Sequence, residues 1–452
     1  MKNTIKGLDK IKGLNKIKQA SVALLLCLLT ISMPARAELT IDITLWLDNA
    51  HPIAVVPFEW RSAAKLPLKM TDVIDADLKR SGRFATMKEA DMIALPHLAS
   101  EVDFAVWRNT KVKYVVVGKL ERLTQSSYKV QFQLLDVEQG KLILEKGFTS
   151  KKGQLRRLSH HISDLIYEAI TGERGAFDTH LAYVTATPDQ KGQNYYRLAV
   201  SDSDGYNEIV LFESNMPIVR PTWSPDGKKL AYVSYATGRP QIYVQSIHSG
   251  HKRQLTHFKG SNLSPAWSPD GRSMAMSLSK DGNAEIYIMD LATRHLRRVT
   301  RNYGVDIEPA WFPDGQSIVF TSDRGGRAQI YRKSINASGG VGRAQRLTFD
   351  GVENLRASVS PDGQRITMVH NSGGQYRIAL LDLEADQLSI LTDGQLDESP
   401  GFAPNGGMLI YASQSNGRGV LAATSSDGRA SHKLRLQRGD VREPAWSPFK
   451  QN

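Results

Sequence analysis

Trp223-Ser224-Pro225-Asp226-Gly227 recurs intact at Trp267–Gly271 and as Trp-Phe-Pro-Asp-Gly at Trp311–Gly315. Weaker copies stand at Val359–Gly363 and Phe402–Gly406, and a truncated one at Trp446–Pro448. Successive copies lie 44, 44, 48, 43 and 44 residues apart, a period that fits four short strands and their turns. The pentapeptide has a physical role at a turn. Proline presets φ, aspartate stabilises the bend and glycine accepts a positive φ, so each copy reads as the hairpin between a blade's first two strands. The tryptophan before it supplies apolar area between neighbouring blades.

Each unit repeats one internal order. After the first turn come the strand Leu230–Ser234, a Gly238-Arg239 turn, the strand Gln241–Ser246 and a short strand ending in Leu255-Thr256. The sixth copy stops four residues before Asn452 and cannot build a blade alone. Three strands without a preceding motif, Leu181–Thr187, Tyr195–Ser201 and Glu208–Phe212, supply what it lacks. The fold expected is therefore a small N-terminal α/β domain followed by a six-bladed β-propeller closed by sharing one blade between both ends of the domain, which leaves no open sheet edge at the seam. Expected bounds are 1–37 for a signal peptide, 38–172 for the α/β domain and 173–452 for the propeller.

The leader reading rests on Lys2 to Lys18, an apolar run from Ala20 to Ile31 and Ala35-Arg36-Ala37 as a cleavage site. That run is about a dozen residues, short of the roughly 20 that span a bilayer, so the product is expected to be exported, periplasmic and not membrane-embedded. Cys27 lies within the leader and no other cysteine exists, which excludes a disulfide framework and a thiolate site in the mature chain. The leader carries seven Lys or Arg against Asp9 alone, so half of the net charge of +12 belongs to it. No basic stripe interleaved with aromatics follows, which argues against nucleic acid.

In the α/β region, Ile53–Phe58, Tyr114–Leu120, Tyr128–Val137 and Leu142–Phe148 read as strands. Met70, Val73, Ile74 and Leu78 fall at helical spacing with Gly82 as C-cap, and a second helix runs from Gln154 to Ile170. Before them, Leu39, Ile41, Ile43, Leu45 and Leu47 alternate with mostly polar residues over Glu38–Asn49. Such a strand is either an edge of its own domain or one that adds to a partner's sheet.

For enzyme chemistry the alternative is a propeller-containing serine peptidase or hydrolase. The chain has no G-x-S-x-G elbow, and no room for the roughly 200 extra residues of a hydrolase domain. No cofactor and no metal site are expected. His160 and His161, adjacent on a helix, point to different faces, and Asp202-Ser203-Asp204-Gly205 reads as a hairpin turn rather than a calcium loop. The connections leading into each inner strand hold Arg220, Asn262, Ser264, Asp306, Glu308, Glu353, Asn354, Asp397, Glu398, Arg442 and Glu443, six of the eleven acidic. They are expected to gather at one mouth of the channel and bind a polar or basic surface.

With the A-R-A site, the Ile53–Phe58 strand, the T-G-E-R-G-A-F stretch at Thr171–Phe177 and the P-x-W-S-P-D-G repeats, the chain resembles the TolB family of the Tol-Pal cell-envelope system over essentially its whole mature length. The resemblance implies a non-enzymatic, monomeric protein with two binding faces. The propeller mouth would receive the lipoprotein Pal, around Asn262–Ser264, Asp306–Glu308 and Glu353–Arg356. The mature N-terminus, here Glu38, Leu39, Ile41, Asp42, Ile43, Leu45, Leu47 and Asp48, would bind the C-terminal domain of TolA and switch between docked and free. Other envelope proteins are further candidate partners, in a system that helps the outer membrane constrict at division.

Overall fold

The computed structural model describes residues 50–188, 192–336, 339–434 and 439–450, together with the backbone of 43–45. The leader, Cys27 and, among the candidate TolA contacts, Glu38, Leu39, Ile41, Asp42, Leu47 and Asp48 lie outside the described residues. No helix among those described is long and apolar enough to cross a membrane.

The N-terminal layer is a mixed sheet. Strand β1 (Ile43–Leu45) lies apart from it, whereas β2 (His51–Val55) pairs in parallel with β4 (Phe84–Thr86) and β5 (Tyr114–Arg122), and β3 (Glu59–Arg61) also runs parallel to β5. The hairpins to β6 (Ser127–Asp136) and β7 (Lys141–Lys151) complete it. Helices α1 (Met70–Arg80) and α3 (Leu155–Thr171) cover one face, where Ile53, Ile74, Leu78, Val116, Phe132, Ile162 and Ile166 form the core. The short helix α2 (Phe104–Arg108) covers the other, burying Trp107 against Val115 and Val117. Both long helices end as their sequences foretell. Gly82 at φ +70° and Gly172 at φ +76° take the left-handed conformation that terminates a helix without a Cβ clash. Strands β3 and β4 and helix α2 are too short for a periodic signal and emerge only in the structure.

Six four-stranded blades follow, as the repeat requires. Their inner strands are Asp440–Trp446, Ile218–Trp223, Asn262–Trp267, Asp306–Trp311, Glu353–Val359 and Glu398–Phe402, in blades 1 to 6. Blade 1 takes its other three strands from β8 (His180–Pro188), β9 (Asn194–Asp202) and β10 (Ile209–Ser214). Its inner strand pairs with β8 from Asp440↔Ala186 to Trp446↔Leu181, so the shared blade closes the ring. Buried side chains pack between blades, as where Tyr183 and Val441 of blade 1 meet Ile410 and Leu421 of blade 6.

The Pro-Asp-Gly turns interlock. A Cβ on Gly363 would stand 3.4 Å from Pro313 in the preceding blade, and the same relation links Gly315 to Pro269, Gly271 to Pro225 and Gly227 to Pro448. Each of these glycines has φ between +67° and +73°. Gly363→Ala combines a strained backbone with a tightened contact. It should lower unfolding free energy by about 1–2 kcal/mol, whereas Gly153→Ala, which meets nothing within 4 Å, should stay within about 0.5 kcal/mol. Chemical denaturation of the two variants checks the difference.

Candidate functional site

Every inner strand carries a bulge at one equivalent position, where the register with the next strand slips. The bulged residues are Arg220, Ser264, Glu308, Arg356, Ser399 and Glu443, all non-glycine and all with φ between +50° and +59°. Holding such residues left-handed costs about 1 kcal/mol or more each. Around the ring the order is Arg, Ser, Glu, Arg, Ser, Glu, so like charges face one another across the channel and opposite charges alternate along it.

The charges pair. Arg220 bonds Glu308 and lies 4.0 Å from Glu443, while Arg356 lies 3.7 Å from Glu308 and 3.3 Å from Glu443. Arg356 also donates to Ser399, and Glu308 accepts from Thr321 Oγ1 at 2.8 Å and from the Arg356 N–H at 2.9 Å. Burial alone would raise the Glu308 pKa, but the Arg220 and Arg356 guanidiniums outweigh it and hold the carboxyl below its usual range. This ring floors a cavity of about 560 Å³ lined by Trp223, Trp311, Trp446 and the prolines of the turns.

Most of the sequence-predicted mouth residues are thus on the inner strands, not in the connections, and many are committed inward. Asn262, Asp306, Asn354 and Asp397 are fully or almost fully buried. Asn262 ties the loop before it through Phe258 and Gly260, Asp306 pairs with Arg324 at 2.6 Å, and Asn354 binds Gln329 and the Asp350 carbonyl. Ser264 and Glu443 are buried in the ring, Glu353 and Glu398 are half-buried, and Arg442 is exposed. Internal ion pairing thus takes up three of the six expected acids, Asp306, Glu308 and Glu443. Arg356 and Ser399 belong with the set, and a signal for the ring existed: five of the six bulge residues are polar groups immediately before proline.

What the connections do present is apolar. Tyr303 is 84 % exposed and Phe349 69 %. Met216, Val305, Val352 and Leu396 are also exposed and sit in the same set of connections. Large apolar groups gathered at one rim mark an interaction surface.

The second expected face also has a location. Ile43, Thr44 and Leu45 pair antiparallel with His432, Ser431 and Ala430, adding a fifth strand to blade 6. Alternation had identified a strand but assigned it to its own domain or to a partner; its neighbour here is the propeller.

Residues 39–143 match the TolB amino-terminal domain and residues 167–450 the TolB beta propeller domain. The chain belongs to the TolB family. It is 52% identical over 432 residues to the Tol-Pal system protein TolB of Xanthomonas oryzae pv. oryzae (strain MAFF 311018), an alignment that covers 95% of this chain and 97% of that one. The same identity and coverage relate it to the protein of that name in Xanthomonas campestris pv. campestris (strain B100). The crystal structure of TolB from Acinetobacter baumannii superposes with a TM-score of 0.83 at 39% identity, covering 91% of this chain and 100% of that one. The chain is thus a TolB-type component of the Tol-Pal system.

Removing the Glu308 carboxylate from this channel ring leaves two guanidiniums to share Glu443 alone. Glu308→Gln should cost about 3 kcal/mol in urea unfolding. Because the native pKa of Glu308 is depressed, its contribution is complete above the ordinary carboxylate value of about 4.3 and disappears as pH falls through the native one. The variant should accordingly lose less stability than the parent over that acid range.

Proposed function

We propose that this chain is a non-enzymatic periplasmic adaptor that receives Pal at the propeller mouth and TolA at its mature N-terminus, supporting outer-membrane integrity and constriction during cell division. The observation that carries the reading is the aromatic and aliphatic rim around Tyr303 and Phe349, on loops of a kind tied from beneath by Asn262, Asn283 and Asn354. Anchored loops present contacts with little ordering cost, which is what a binding face needs. The charged groups of the channel are engaged with each other rather than arranged as nucleophile and base, which supports binding over catalysis. For the second face, three residue pairs among the described residues join β1 to the edge of blade 6, an edge-strand pairing that a partner's sheet edge could replace.

Partner selection then divides between the two ends. Glu353, Glu398 and Arg442 remain available beside the apolar rim, whereas the ring acids act through rigidity. Tyr303→Ala with Phe349→Ala should weaken Pal binding by roughly tenfold or more without changing the thermal midpoint; unchanged affinity in titration calorimetry would remove the rim from the interface. Deleting Glu38 to Asn49 should abolish TolA binding while leaving Pal binding intact, and retention of TolA would send the search elsewhere on the molecule.

A further inference from the structure

Helix α3 carries a histidine into the junction between the N-terminal layer and blade 1. The His160 side chain is 2 % exposed, with Nδ1 2.7 Å from Asp77 Oδ2 on α1 and Nε2 3.5 Å from Asp204 Oδ2 in the turn between β9 and β10. A neutral imidazole has a single N–H. Flanked by a carboxylate oxygen at each ring nitrogen, it meets one of them lone pair to lone pair, and only the imidazolium offers a proton to both. Nε2 is buried and makes no hydrogen bond at its present distance, so what acts on that side is charge attraction.

The three donors lie within 4.8 Å of one another, a spacing that would also suit a cation. Each carboxylate already carries a guanidinium, however. Arg80 sits 2.5 Å from Asp77 Oδ1, and Arg156 pairs with Asp204 while stacking on the Tyr206 ring at 3.5 Å. A dication would have to enter beside two arginines, whereas a proton on His160 needs no room.

We propose that protonated His160 latches the N-terminal layer of this chain to its propeller, and that the junction loosens when rising pH removes the proton. Burial opposes the charge on His160, but Asp77 and then Asp204 outweigh it and raise the pKa, with Arg80 pulling the other way. Asp77 is correspondingly held low against its own burial by His160 and Arg80. Asp202, paired with His180 at 3.6 Å, adds negative field from the propeller side. Because the docked pKa is raised, the contribution is fully present below the ordinary imidazole value and is lost as pH climbs through the docked one.

Asp164, one turn along α3, is a second group that titrates nearby. It accepts the N–H groups of Phe177 and Asp178 in the linker, and burial pushes its pKa up to about 7. The experiment must separate the two. In the full mature chain, nitrogen-15 NMR of the histidines should show both His160 ring nitrogens protonated near neutral pH, with a midpoint above that of free imidazole. Hydrogen exchange of the linker and of the β9–β10 turn, corrected for intrinsic rate, should accelerate severalfold between about pH 6 and about pH 9. That step should vanish in His160→Gln and persist in Asp164→Asn. A singly protonated His160 at neutral pH overturns the latch, as does an unchanged step in His160→Gln; the wild-type spectrum decides the matter even if that variant does not fold.

Discussion

The pairing of Asp440–Trp446 with β8 is the contact on which the molecule depends. It joins residues some 250 positions apart in sequence and turns five complete blades and three spare strands into a ring. An open six-sheet arc would expose the inner face of β8 and leave the channel without its Glu443. Closure also fixes the N-terminal layer, because the chain reaches β8 from α3 and the closing strand is followed by anchors to that linker. The Ser447 hydroxyl accepts from the His180 N–H at 2.9 Å, the Phe449 ring lies under the Arg174 guanidinium at 3.9 Å, and Lys450 pairs with Asp178. One strand therefore seals the sheet and clamps the linker at once.

A closed ring has a channel, and the bulges determine what fills it. Six residues are forced into a left-handed conformation that none of them favours, and their charges are desolvated as well. Apolar residues at these positions would avoid the desolvation cost. The arginine and glutamate forks have a compensating property: each guanidinium is satisfied only when neighbouring blades keep their register, so the ring couples blades that otherwise touch only at their flanks. The blade-6 serine fits the same pattern, since Ser399 bridges Arg356 and Glu443.

The parts of this architecture that were legible in the sequence are those that depend on local chemistry. Pro-Asp-Gly needs only its own dihedrals, so the 44-residue period appears directly, and the missing strands of the last copy follow from counting. Gly82 and Gly172 mark helix ends for the same reason. The ring was misread because a bulge on Arg, Ser or Glu has no glycine to announce it, and because the sign of a residue says nothing about where its counter-ion lies. Glu308 and Arg220 are 88 positions apart and two blades away. Similarly, alternation showed that the segment around Ile43 is a strand, yet which edge it joins is decided by the outer strand of blade 6. His160 was dismissed as a ligand because it neighbours His161; the helix does separate the two, sending His161 against Phe148 and His160 into the domain junction.

These corrections change the physical character of the mouth. An acidic rim would act mainly through long-range attraction, which salt screens over about 10 Å at 0.1 M. Here Glu308 and Glu443 are paired within the ring and Asp306 with Arg324, and the exposed area is led by Tyr303 and Phe349. On the proposed reading, recognition depends on shape and on apolar area removed from water, which decays within contact distance and favours loops that already hold their bound form. Asn262 and Asn354 at the head of their inner strands, and Asn283, fulfil that requirement, since each hydrogen-bonds carbonyls of a connection and fixes it from beneath. Asn354, which looked like a contact from the sequence, holds in place the connection that carries Phe349.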